Sequence, residues 1–174
     1  MTTTRSNYSY PACSVWHLFD LRTRCKFLSI LILIMQVSNA VALDGDLKAS
    51  DHFTKGEQLY NSGKYEEALP ELQLAVELSQ SNSHYHHMLG KCHGRIAENG
   101  SWLTALRNVG KTLTEFKRAI ELDANNVQAL VDLEEFYLRA PGFLGGSNEK
   151  ATEIRKRLES LEKRGVPDPT IEKN

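Results

Sequence analysis

The densest set of reactive side chains lies within ten residues: His84, His86, His87, Cys92 and His93. Imidazole and thiolate are the usual ligands of zinc and copper, and a helical site needs them one turn apart on one face. On a helix, His84 and His87 share one face at a spacing of three and His86 and His93 share another at seven, but the His-x-x-x-His clamp is missing. Two faces make two incomplete sites, so the histidines read as packing residues and no metal or cofactor is assigned. A histidine-bearing metal-binding or trafficking protein is the alternative that this cluster supports.

The loop Pro141-Gly142-Phe143-Leu144-Gly145-Gly146-Ser147 leads into a helix, where backbone amides can hold an anion. It lacks the Gly-Lys-Ser/Thr ending and the preceding strand of a phosphate-binding loop. It reads instead as punctuation. Pro141 ends one helix, the glycines turn the chain, Ser147 caps the next, and Phe143 with Leu144 plug the end of an apolar layer. No serine, cysteine or carboxylate stands by motif beside a base, and the pairs Glu66-Glu67 and Glu134-Glu135 suit solvated helix faces. The sequence therefore points away from an enzyme.

With 174 residues, 41% apolar and 25% charged, the chain has the composition of one globular domain. Arg22, Arg24 and Lys26 run into the apolar segment 27–37 (FLSILILIMQV), and small residues 38–42 follow. That order describes a secretory signal peptide over 1–42, cleaved after Ala40 or Ala42, which implies a periplasmic or secreted protein. The alternative is an uncleaved N-terminal anchor on a membrane-bound assembly subunit, the one case in which a membrane contact is expected. Beyond residue 42 the chain keeps 17 of its 21 basic and 21 of its 22 acidic residues, a net charge of −4 that disfavours nucleic acid. Cys13 and Cys25 fall in the presequence, which leaves Cys92 alone, without an internal disulfide partner and best kept buried.

The elements that must position these residues are helices. Helical phase predicts one from about Ser50 to Tyr60, a stop at Asn61-Ser62-Gly63 with Gly63 at positive φ, and a second over Tyr65 to Leu78. The segment beginning Ser83-His84-Tyr85 predicts a third. Trp102, Ala105, Leu106, Val109, Thr112, Leu113, Phe116, Ala119 and Ile120 recur in steps of three and four, which predicts a long fourth helix of roughly 30 Å with this stripe buried. Ala129, Leu130, Leu133, Phe136 and Tyr137 mark a fifth, and Ala151, Ile154, Leu158 and Leu161 a sixth. A tail follows over 166–174.

Gly56, Tyr65, Ala68, Leu72, Ala75 and Leu78 in a unit of 34 residues (49–82) resemble the landmarks of the tetratricopeptide repeat. Units 83–126 and 127–164 repeat the phase, the former stretched by ten residues. His52 and Lys55 depart from the pattern, where the family has large apolar residues. The chain is thus similar to tetratricopeptide proteins of an exported bacterial type with a stretched second repeat. The resemblance implies an all-α fold over 43–165, a right-handed α-solenoid of about three antiparallel helix pairs.

It also implies a protein-binding adaptor or scaffold whose concave groove takes a peptide or helix of a partner, with homo-oligomers compatible. By repeat phase the groove presents Phe53, Glu57, Tyr60 and Asn61 from the first unit, His87, Lys91 and Arg95 from the second, and Asp132, Glu135 and Arg139 from the third. Thr54, Met88 and Val131 join them by the same phase. His84 points the same way, and His86 and His93 face the core. A basic stripe of His87, Lys91 and Arg95 would then oppose an acidic stripe of Asp132 and Glu135, favouring a partner of mixed charge.

Overall fold

The computed structural model describes residues 45–166. The signal-peptide or anchor reading, the cysteines within it, and the tail from Pro167 onward lie outside them. Six helices follow one another: α1 (45–61), α2 (Tyr65–Leu78), α3 (Ser83–Asn99), α4 (Trp102–Leu122), α5 (Val127–Arg139) and α6 (Asn148–Lys163), with a 3-10 turn at Gly142–Leu144. No strand occurs among the described residues. Turns of two to four residues join the first five helices and an eight-residue connection holding the 3-10 turn joins α5 to α6; sequential helices pack antiparallel, giving three successive pairs in an all-α, tetratricopeptide-like solenoid.

Sequence dictates where each helix starts and stops. Gly63 takes φ 76°, so Gly63 N–H reaches Tyr60 O at 2.9 Å and Lys64 N–H reaches Leu59 O at 2.9 Å, the double closure that ends α1. Asn82, Ser101, Asn126 and Ser147 cap α3, α4, α5 and α6 by accepting backbone amides of the first turn. Pro70 sits in the second turn of α2 without ending it. The ten extra residues of the second unit lengthen both its helices, to 17 and 21 residues, and the connection stays at two.

Small residues set how closely the helices cross. A Cβ on Gly56 would lie 2.7 Å from Leu72 Cγ, and one on Gly90 would lie 2.6 Å from the Phe116 ring. His52 and Lys55 both bond to the Glu71 carboxylate of α2 and tie α1 to it through polar contacts. One apolar core holds Phe53, Leu72, Met88, Leu89, Cys92 and Ile96 between α1, α2 and α3. Two smaller cores lie around Phe116, Leu133 and Tyr137, and around Val127, Leu130 and Leu161.

The seam between α3 and α4 is different, because much of it is polar. His86 bonds through Nδ1 to Glu115 Oε2 at 2.7 Å and through Nε2 to Gln80 O at 3.1 Å. His93 Nδ1 donates to Asn108 Oδ1 at 2.8 Å, and Asn108 Nδ2 donates to Thr104 O at 2.8 Å. Ser83 Oγ donates to Ala119 O at 2.8 Å and accepts from Asn126 Nδ2 at 2.7 Å. His86 and His93 are thus core-facing, as their phase predicts.

Two apolar expectations fail. Trp102 is 74% exposed and Leu106 49%, because α4 begins beyond the helices that would cover it and its first buried residue is Asn108. Phe143 is 84% exposed and plugs nothing, whereas Leu144 is half-buried. The glycines of that loop have a tighter reason: Gly145 takes φ 101°, and a Cβ on Gly146 would collide with Ala140 O.

Gly56→Ala and Gly90→Ala are each expected to lower unfolding free energy by about 1–3 kcal/mol in urea titrations, because the added methyl overpacks a helix crossing. Gly110→Ala has open space around it and is expected to add about 0.5–1 kcal/mol through helix propensity. Burial holds the His93 ring below its usual value of 6.5, so the unfolded chain binds that proton more readily. The stability due to His93 is therefore whole above about pH 6.5 and is lost as pH falls toward the folded value; His84 shifts in the same direction for the same cause. Urea midpoints are expected to fall from pH about 7.5 to about 5.5, with a shallower slope in His93→Gln.

Candidate functional site

A groove of about 370 Å³ opens between the C-terminal halves of α3 and α5, over the N-terminal half of α4, with the end of α1 at its side. Its floor is apolar: Ala105, Val109 and Phe116 from α4, Phe136 from α5, and Leu144 from the 3-10 turn. Its rim is charged: Lys91, Arg95 and Glu98 on α3, Asp132, Glu135 and Arg139 on α5, with Tyr60 completing it. Helical spacing makes this possible, since Lys91, Arg95 and Glu98 fall one turn apart, as do Asp132, Glu135 and Arg139.

The rim is internally paired. Arg95 Nη1 donates to Glu98 Oε2 at 2.8 Å, and Arg139 Nη1 reaches Glu135 Oε1 at 2.7 Å and Glu98 Oε1 at 3.8 Å, bridging the two walls. Arg95 also lies beside the Tyr60 hydroxyl, and that neighbour and Glu98 raise its pKa further. Burial raises the Tyr60 hydroxyl against the opposing pull of Arg95. Lys91 has no carboxylate partner among the described residues; its Nζ lies 5.6 Å from the Tyr60 ring centroid.

Six of the ten residues assigned to the groove from sequence line it: Tyr60, Lys91, Arg95, Asp132, Glu135 and Arg139. The other four do not. Phe53 is buried, stacked on Tyr85 at 4.6 Å with the His84 ring at 5.0 Å, so the next unit covers it. Glu57 and Asn61 lie on α1 outside the lining. His87 is only 2% exposed and sits beneath the rim, its Nε2 donating to Asp132 Oδ2 at 2.7 Å. Met88 belongs to the first core, and Val131 packs on the last. In place of opposed stripes, the basic member His87 is spent on the acidic member Asp132.

Sequence reasoning missed the floor and Glu98. The signal was present: Ala105, Val109, Thr112 and Phe116 continue one stripe, but no facing helix was assigned to its first half.

The cluster of histidines does not converge. His84 and His87 have ring centroids 6.4 Å apart, the His87 Nε2 is occupied by Asp132, and no third ligand joins them among the described residues. The Cys92 thiol donates to Tyr65 O at 3.2 Å, and burial pushes it up to about 12, far from a reactive thiolate. A greasy floor with a polar rim is the anatomy of a recognition surface.

No protein-family model and no curated protein matches the chain. Among solved structures the chain is similar to the second TPR domain of Spaghetti (RPAP3), a structure bound to the HSP90 peptide SRMEEVD. The two share 16% identity and a TM-score of 0.55 over 70% of this chain and 98% of that one, a likeness of fold.

Proposed function

We propose that this protein is a non-enzymatic adaptor or scaffold that holds a peptide or helix of a partner protein in the groove between α3 and α5. The observation that carries the reading is the shared site itself: Lys91 of α3 and Asp132 of α5 line one cleft over an apolar floor. Apolar anchors of a partner would fill the space over Phe116 and Phe136, and the rim would set its orientation and register. The neighbouring fold, seen with an HSP90 peptide, lends support to this use of a helical-pair stack. The exported bacterial type and the periplasmic or secreted location are part of the same proposal and rest on the segment 22–42.

Reversing Lys91→Glu and Arg95→Glu together is expected to weaken capture of partner from envelope extract by at least about a hundredfold, with helicity unchanged by circular dichroism. Undiminished capture by the folded double variant refutes the assigned surface. Edman sequencing of the exported protein is expected to start at Val41 or Leu43; an intact N-terminus would support an anchor instead.

A further inference from the structure

The exposed apolar residues at the start of α4 take no part in the groove. Trp102, Leu103 and Leu106 are 74%, 47% and 49% exposed and are contiguous on the helix surface at spacings of three and four. They are followed on the same helix by Arg107 and Lys111, both exposed and neither paired with a carboxylate among the described residues. From Gly100 to Thr114 there is no acidic residue. The acids on either side of this stretch are both held elsewhere: Glu98 by Arg95 and Arg139, and Glu115, one turn beyond Lys111, by His86.

We propose that this end of α4 is a membrane-contacting tip that inserts Trp102, Leu103 and Leu106 among the headgroups of an anionic bilayer, with Arg107 and Lys111 on the lipid phosphates. An exposed Trp with leucines and flanking cations is the chemistry of an interfacial anchor, in which the indole rests at headgroup depth. Charge complementarity selects the lipid, because two cations without a carboxylate partner among the described residues, with Glu98 and Glu115 held in other pairs, match a negative surface. A second copy of the chain fits less well. Three side chains fall far short of the about 20 residues a side that a stable dimer uses. The contact does not depend on the N-terminal segment, and it leaves the groove free.

The test uses the full chain with Trp16→Phe, which leaves Trp102 as the reporter of the two tryptophans. On mixed phosphatidylcholine and phosphatidylglycerol vesicles, Trp102 emission is expected to shift to the blue and to be quenched by acyl-brominated lipid. Arg107→Gln with Lys111→Gln is expected to raise the lipid needed for half of that shift about thirtyfold, with helicity preserved. Three results overturn the proposal. One is sedimentation with the vesicles while Trp102 emission stays as in buffer, since the chain then attaches elsewhere. Another is a blue shift that grows with protein concentration without lipid, the mark of a second copy. The third is an equal response to pure phosphatidylcholine that the two glutamines do not change.

Discussion

A buried imidazole must find hydrogen-bond partners, and three of them on one helix govern how this protein is assembled. α3 is covered by α2, α4 and α5, so from His86 to His93 nearly all of it is buried. Burying a polar group without a partner costs about 1–3 kcal/mol, which makes the neighbours of each ring a requirement of the fold. His86 draws Glu115 and Gln80, His93 draws Asn108, and His87 draws Asp132. These bonds fix α4 along one side of α3 and α5 along another. Among the described residues, His87 Nδ1 is the buried side-chain polar atom that has no hydrogen-bond partner.

The consequence for the site is direct. α3 and α5 form opposite walls of the groove and are joined by few links, of which the deepest is His87 to Asp132 and the outermost is Arg139 to Glu98. The buried link has low exposure and is screened little by salt, whereas the Arg139 pair is open to solvent and contributes weakly. The spacing of the two walls therefore depends on a bond that lies just beneath the rim. Gly90 allows α4 to press its Phe116 ring against α3, which brings that ring to the bottom of the same cleft.

Local signals were the most legible in the sequence. Gly63 at positive φ and the cap at Ser147 each depend on residues within a turn or two. The outer halves of α3 and α5 were also legible, because residues one turn apart stay neighbours whatever surrounds them. What periodicity cannot show is where a helix loses its covering partners. The stripe through Trp102 and Leu106 is continuous with Phe116, yet those two stay exposed and the first buried residue of α4 is Asn108. His87 was placed on the open surface with Lys91 and Arg95 because it shares their spacing; the crossing of α5, which that spacing does not encode, buries it. Phe53 follows the same logic, hidden by Tyr85 of the next unit.

The central claim is that the His87–Asp132 hydrogen bond holds the two walls of the groove together. A double-mutant cycle with His87→Ala, Asp132→Ala and the pair, read as urea unfolding free energies, tests it most directly. The account predicts a favourable coupling of at least about 1 kcal/mol, within the range for contacting residues. Losses that simply add would contradict it, since the walls would then be positioned by the apolar cores alone.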